Sequence, residues 1–429
     1  MRFGRRLNGR LALAAVVGLV ALTAGALGSQ AATTQRAATN LKVLAQAGGP
    51  GTALVKLAAL YGKQHPDVSV KVTLLPYDSV RERAIADFAS GKASYDVVAF
   101  DYLWMKEYAR ANFITPLDGF VSKSGSKLAV NDFFKSYVDY GTLGGKLYGL
   151  PWLGAVYMLY YRTDLLKQAG VKVPTTWDQY AAAAAKLKRG GVYGTTLIGK
   201  RDDPLVDEFW SIAWSYGAKI YSGSTPAINS PAALKAFTVW AKAYKAAPPD
   251  SLAADWPVAA ATFAQGKAAM MINFSDTSET VLSKDSKVAS KVGFAPLPVG
   301  PTGKRTPNLG GWGIGINAKS KSQQQAFDFI AWATSAAEQK AGLAFGGSAT
   351  RASVLKDPAL QTKYPYFKAA LANFKASLPF PQATNWVDWE AAMAPPMSEA
   401  LAGQRSLASG LAEAQKRLAP LVKKEFGSG

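Results

Sequence analysis

The sequence predicts an α/β protein of two lobes joined by crossovers, with a cleft between them. Three observations carry this. Strand-like and helix-like stretches alternate through most of the chain, the pattern of a mostly parallel sheet flanked by helices. The chain has 429 residues, a length that suggests two lobes or domains. Prolines interrupt apolar runs at two places, Pro151 and then Pro296 with Pro298. Proline has no amide donor, so a central strand cannot pass through it undisturbed. Within the stretch GKLYGLPWLGAVYMLYYRTDLL (145–166), residues 150–155 therefore read as the passage between lobes, with Trp152, Tyr157, Tyr160 and Tyr161 at the junction. The alternative is an interior strand of one large domain with the tyrosines as core.

Residues 1–31 read as an export signal. Arg2, Arg5, Arg6 and Arg10 precede an uncharged apolar run over 11–27, and Ser29-Gln30-Ala31 gives a small-x-small pattern before cleavage. A retained anchor is the competing reading, since the run is nearly long enough to span. The pair Arg5-Arg6 invites a twin-arginine route but lacks the apolar residues expected after it. The chain has no cysteine, hence no disulfide and no residue to carry a lipid at the cleavage point. The expected location is the periplasm or the extracellular space. Residues 32–40 read as a flexible leader.

The elements then follow in order. Leu41–Leu44 reads as a strand and 52–64 as a helix with apolar positions Leu54, Leu57, Ala58 and Tyr61. Val68, Val70, Val72 and Leu74 alternate as a half-buried strand. Ser79-x-x-Glu82 predicts a capping box for a helix reaching Gly91. Tyr95–Phe100 is a buried strand ending at Asp101. Thr176-x-x-Gln179 caps a helix through Leu187, and Tyr193–Ile198 reads as a strand. Helices are expected at about 204–217 and from Pro231, where proline suits the first helical position. Strands follow at Ala268–Ile272, Val292–Phe294 and Thr306–Asn317. Helices at 322–333 and 335–343, the glycine break Gly346-Gly347, and a mostly helical remainder with Leu407, Leu411 and Leu418 on one face complete the chain.

The formal net charge is +20. The four leader arginines account for four of these, leaving +16. Such a surplus favours anionic partners, yet the lysines are dispersed and no arginine-rich block or nucleic-acid motif is present. A solubilising surface is the expected role, and nucleic acid is not an expected partner.

Catalytic chemistry finds few parts. His65 is the single histidine and sits in a helix-ending turn before Pro66. With no cysteine, the Ser-His-Asp, Cys-His and His-based zinc arrangements are unavailable. No nucleophile elbow or phosphate-cradling loop appears, and Asp202-Asp203 lacks calcium-loop spacing. No cofactor and no metal are expected. Glycoside hydrolysis needs two carboxylates; Asp207/Glu208, Asp276/Glu279 and Asp388/Glu390 are the pairs available, each also explicable as surface or capping. The aromatics say more. Trp104, Trp152, Trp210, Trp312, Trp386 and Trp389 lie at element ends, where a ring can face a cleft instead of a core. Asp101, Asp207, Asn273, Asp276 and Arg351 lie at similar positions. Stacking rings beside carboxylates and amides suit a polar, ring-shaped ligand.

The ordered set YDVVAFDYLWMKEYARANFITPLDGF (95–120), GKLYGLPWLGAVYMLYYRTDLLKQAGVKVPTTWDQY (145–180), FAQGKAAMMIN (263–273), VGFAPLPVGP and NLGGWGIGINAKSK (292–321), and ALAGQRSLASGLAEAQKRL (400–418) resembles the extracellular solute-binding proteins of carbohydrate ABC importers, the group that includes maltose-binding protein. The resemblance implies a two-lobed periplasmic binding protein type II fold with a hinge. It places lobe one at 41–150 and 297–347, and lobe two at 151–296 and 348–429. It implies a monomer that captures a sugar or polyol and hands it to the membrane permease subunits of an ABC transporter. Carried onto this chain, the ligand-binding positions are Gly49, Asp101, Trp104, Trp152, Asp207, Trp210, Asn273, Asp276, Trp312, Arg351 and Trp389, with Trp386 as rival to the last. Asp276 stands where family members often have an aromatic, which favours a small hydroxyl-rich ligand. Asp101, Asp207 and Asp276 opposing Arg351 imply an uncharged one. The alternatives are an anionic sugar (a uronate or sugar phosphate) and, from another class, a secreted glycosidase.

Overall fold

The computed structural model describes residues 39–427. The expected export signal and most of the leader lie outside them. Seven strands form the main sheet: β1 (Thr39–Gln46), β2 (Val68–Leu75), β3 (Val97–Asp101), β4 (Leu150–Arg162), β5 (Met270–Phe274), β6 (Val292–Ala295) and β7 (Leu309–Ile316). Their order is β6-β4-β7-β3-β1-β2, with β5 also paired to β4. The strand expected from Leu41 begins two residues earlier, because Thr39 and Asn40 pair with Val68 and Ser69. The leader assignment was too long by those two residues.

The sheet is not mostly parallel. β1 runs parallel to β2 and β3, but β7 is antiparallel to β3 and β4, and β4 to β5 and β6. Helical crossovers make the parallel part. The antiparallel part arises because β4 and β7 carry the chain across the middle in opposite directions.

β4 is the axis of the molecule. Leu150–Tyr160 is buried at every position, the continuous apolar run of a strand covered on both faces. Leu150–Val156 pairs with β7, whereas Tyr157–Arg162 pairs with β5 and β6. One strand thus serves both halves of the sheet. Proline is accommodated by a slip: Trp312 pairs with Leu153 and Gly313 with Pro151, so Trp152 is skipped, a bulge at the residue next to the missing donor. A third segment crosses here. Thr350 Oγ1 donates to the Pro151 carbonyl at 2.9 Å, and a side chain at Gly154 would press within 2.7 Å of the Ala349 carbonyl. The Tyr137 hydroxyl accepts from the Ala155 amide at 2.8 Å and lies 2.8 Å from the Gly310 carbonyl. Tyr157 and Tyr160 are fully buried, so these two tyrosines are core.

Local chemistry sets the helix starts that matter. The helix Gly49–Gln64 opens after Gly48, whose φ of 119° a side chain would disfavour. The helix Tyr77–Ser90 opens directly after Pro76 and stops at Gly91. The expected Ser79–Glu82 capping box does not form, since Ser79 lies within the helix; Pro76 fixes the entry instead. Asp101 caps the helix Tyr102–Arg110 through Oδ1, which accepts from the Leu103 amide at 3.0 Å. The Thr176–Gln179 capping box is present in both directions. Tyr193–Ile198 is extended but not a full strand. It bonds to 267–270 only intermittently, because Gly194 is jammed against the Ala184 carbonyl. Among the described residues no helix is long and apolar enough to cross a membrane.

Candidate functional site

The carboxyl ends of β1, β2 and β3 deliver Gln46–Pro50, Pro76–Asp78 and Asp101 to one edge of the sheet, the usual place for a ligand in such sheets. Opposite them stand the helix Asp203–Ala213, Asp255 and Trp256 at the start of the helix Trp256–Ala264, and the segment Phe274–Thr280 after β5. Asn308–Trp312 forms the floor. Together they enclose a cavity of about 520 Å³, within the size range of small-molecule sites.

One wall is aromatic. The Tyr77 ring lies 5.8 Å from Trp256 and 5.8 Å from Trp312, and 5.4 Å from Trp104. Edge-to-face pairs of this kind contribute about 0.5–1.5 kcal/mol beyond burial. Trp256 is held from behind: its Nε1 donates to Tyr157 Oη at 2.9 Å, and its carbonyl accepts from Asn273 Nδ2 at 2.9 Å.

The opposing feature is acidic. The Tyr77 hydroxyl sits 3.3 Å from Asp101 Oδ2 and 3.1 Å from Asp203 Oδ2, and its one proton serves one of them at a time. Asp207 Oδ1 accepts from Asn308 Nδ2 at 2.6 Å. Glu390, from the helix Trp386–Leu401, stands behind Asp203. Burial pushes the Asp101 carboxyl up to about 8, aided by Asp203. Burial likewise raises Asp203 to about 6, and it holds Asp207 and Glu390 well above the ordinary carboxylate range, with repulsion from Asp203 adding to both. Asp203 contacts both Glu390 and Asp207, and carboxylates in contact can hydrogen-bond only through a shared proton. No protein donor reaches Asp203 Oδ1 or Glu390 Oε1. Nearer the rim, burial raises Asp276 to about 6. Glu279 lies against Gly49 and Gly346 so closely that a Cβ on either glycine would overlap its carboxylate.

Of the positions expected from sequence, the cavity brings together Gly49, Asp101, Asp207, Asp276 and Trp312. The other six lie off its wall. Trp104 is 3% exposed and packs behind Tyr77 and Trp312. Trp152, skipped by the bulge, lines a narrow crevice beside Pro50 and Gly347. Trp210 points into the core against Phe209 and Trp214. Asn273 is spent on Trp256 and the Phe274 amide. Trp389 packs on Tyr221, Trp386 and Phe426, and Trp386 on Phe380. Arg351 donates to the carbonyls of Thr334, Ala129 and Leu128 and lies 3.7 Å from the Phe133 ring centre. It is therefore not the counter-charge to the cavity's acids, and the mixed-sign balance expected there is absent. Tyr77, Trp256 and Phe274 escaped the sequence reading, which weighed Asp203 only for a calcium loop and Glu279 only as a hydrolytic pair with Asp276. For Tyr77 a signal existed: it follows a parallel strand's carboxyl end just as Asp101 does.

Of the pairs considered for hydrolysis, Asp276 and Glu279 both line the cavity, whereas the other two do not stay together there. Glu208 is engaged by Trp240 Nε1 and the Ile198 amide, both at 2.8 Å. Asp388 bonds to Asn385. His65 stacks on Tyr61 at a ring distance of 4.2 Å. Among the described residues no acidic or histidine cluster has the arrangement to hold a metal ion.

Two α/β halves sharing a central strand, with a polar and aromatic cavity where they meet, define a two-lobed binding protein. The comparisons agree. Residues 45–340 match the family model of bacterial extracellular solute-binding proteins, and the chain belongs to that family. A probable ABC transporter-binding protein of Deinococcus radiodurans is 30% identical over 70% of this chain and 73% of its own. A mannitol-binding protein of Pseudomonas aeruginosa is 28% identical over 75% of each. A probable amino-acid ABC transporter periplasmic-binding protein of Sinorhizobium fredii is 29% identical over 72% of each. Among solved structures, maltose-bound MalE3 of Thermotoga maritima superposes with a TM-score of 0.82 at 28% identity, over 90% of this chain and 100% of that one. The ribitol complex of an ABC transporter solute-binding protein from Agrobacterium radiobacter gives 0.82 at 27%, over 90% and 99%.

Proposed function

We propose that this protein captures a small sugar or polyol outside the cytoplasmic membrane and delivers it, unaltered, to the permease subunits of an ABC transporter. The cavity carries the reading: an aromatic wall for C–H faces stands across from carboxylates that accept hydroxyl protons. Hydrogen bonds to charged groups are worth roughly 1.5–3 kcal/mol each, so a few can anchor a polyhydroxyl ligand. The relatives named for mannitol, ribitol and maltose support the same class. The lobes, with the boundaries read from sequence, would close as a hinge about the three segments that cross near Pro151, Gly154 and Gly310. Ligand contacts from both sides then favour the closed state, which the permease recognises. The acidic lining opposes the anionic alternative. A binding role without turnover is favoured because the matching family is one of solute-binding proteins.

A calorimetric screen over hexoses, alditols and short maltosaccharides, with uronates and sugar phosphates as anionic counterparts, tests this. Saturable binding of a neutral or basic sugar or polyol, recovered intact after long incubation, is expected. Binding only of the acidic members, or products of hydrolysis that track with the protein, would overturn it.

A further inference from the structure

We propose that the natural ligand carries a protonated amine on its polyhydroxyl frame, as in an amino sugar or amino alditol, with the ammonium seated between the Tyr77 ring and the carboxyl groups of Asp101, Asp203 and Asp207. This rests on the sugar or polyol reading above and names the ligand class within it.

The first observation is the charge of the wall. Seven aspartate and glutamate residues line the cavity against one lysine and no arginine. That lysine, Lys200, stands 3.4 Å from the Asp78 carboxylate at the rim and does not neutralise the deep acids. The chain as a whole is strongly basic, at +20, so the acidity is local and runs against the composition.

The second observation is an unmet demand. Asp203 is 5% exposed, and apart from a proton shared with Glu390 or Asp207 its Oδ1 receives no hydrogen bond from the protein. Asp101 and Asp203 compete for the single Tyr77 proton. Neutral hydroxyls could donate to these oxygens, but each supplies one proton and no charge, so it cannot offset the repulsion that keeps most of these acids protonated. An ammonium supplies three donors and the missing charge together, and charge-assisted hydrogen bonds are the stronger kind. Burial holds the Asp101 and Asp203 carboxyls above the ordinary range, consistent with a cluster that lacks its cation.

The third observation is the ring geometry. Trp256 and Trp312 each stand 5.8 Å from the Tyr77 ring, whose hydroxyl meets the carboxyls. Aromatic faces attract an organic cation through the ring quadrupole. A hard metal ion gains little from such walls, and among the described residues no metal-holding cluster exists.

The test compares matched pairs by isothermal calorimetry near neutral pH: D-glucosamine against D-glucose, and 1-amino-1-deoxy-D-sorbitol against D-sorbitol. The amino member of at least one pair is expected to bind about tenfold tighter or better, with net proton release visible as a buffer-dependent heat. Asp203→Asn should shrink that advantage to about twofold or less by weakening the amino member more than its neutral partner, with a cooperative thermal melt showing that the variant is folded. Equal or tighter binding of the neutral member in both pairs overturns the amine assignment and leaves the sugar or polyol reading standing. An undiminished advantage in Asp203→Asn overturns the proposed seat. Saturable binding of neither pair, nor of any other sugar or polyol, overturns both readings.

Discussion

Arg351 and Asp203 are both ionisable and both almost wholly buried, at 2% and 5% exposure, yet they have opposite surroundings. Arg351 has every branch of its guanidinium engaged: three backbone carbonyls accept from it, an aromatic ring covers it, and Asp132 lies 3.7 Å away. Asp203 shares one hydroxyl with Asp101, touches other acids, and leaves an oxygen with no protein donor. A buried charge that the protein satisfies itself is part of the scaffold. One that it leaves unsatisfied next to a cavity is waiting for something from outside, because an uncompensated buried polar group is costly.

The largest effect that would break this contrast is on stability. Arg351→Ala removes three charge-assisted bonds and strands the carbonyls of Leu128, Ala129 and Thr334. A loss of about 3–5 kcal/mol of folding stability is expected, with ligand affinity unchanged in the fraction that remains folded. Trp210→Ala should behave alike, since it opens a core cavity. Denaturant melts paired with calorimetry check both. A marked affinity loss without loss of stability would return either residue to the site.

Next in size is Trp312→Ala, expected to cost on the order of 2 kcal/mol of affinity. It will also lower stability, since Trp312 supports Trp104 and Tyr77. Trp152→Ala is the control: it lies off the cavity wall, so it should lower the melting point and leave Kd nearly unchanged. If Trp152→Ala weakens binding as much as Trp312→Ala, the closed cleft differs from the cavity described.

These residues also show what was legible in the chain. Asp101 and Asp207 could be found because a strand end and a polar residue in an apolar helix are visible in one dimension. The slip at Pro151 was equally legible, since a missing amide must be absorbed somewhere. Arg351 was not, because its carbonyl partners at 128, 129 and 334 are distant in sequence, and nothing in a lone arginine says whether it meets carbonyls or a ligand. Trp152 and Trp312 both neighbour glycine or proline turns, and only the pairing register decides which faces the cavity. Asp203 and Glu390 were visible as acids, but their closeness depends on packing between helices almost two hundred residues apart.

A smaller effect is expected at the rim. Gly49 and Gly346 leave space that the Glu279 carboxylate fills. Gly49→Ala should weaken ligand binding about tenfold by overpacking this closure contact. Glu279→Ala alone should be mild. Combined, the two should recover part of the loss, because the added Cβ would still lie 2.6 Å from the Gly346 carbonyl after Glu279 is removed. A double variant as weak as Gly49→Ala would mean that the added methyl disturbs the helix start instead.

The smallest expected effect concerns pH, and its sign separates the unsatisfied acids from ordinary ion-paired ones. In the unfolded chain Asp101 and Asp203 ionise near the ordinary aspartate value of 3.8, whereas burial raises them to about 8 and about 6 in the fold. Between those limits the unfolded state has lost protons that the folded state keeps. Stability contributed by these groups is therefore full below about pH 4 and is lost as pH rises through their folded values. Acids held low by cations, such as Asp164 beside Arg162 and Asp357 beside Lys340, act oppositely, but their effect lies in more acidic solution. The ligand-free protein should thus melt at a lower temperature at pH 8 than at pH 5. The difference should be on the order of 1 kcal/mol, since water can enter the cavity as the acids ionise. Asp101→Asn should flatten the slope, and so should a saturating basic ligand, which supplies the missing charge. A melting point that rises from pH 5 to 8, with Asp101→Asn unchanged in slope, would mean that the cluster is already ionised and hydrated, and the contrast with Arg351 would lose its physical basis.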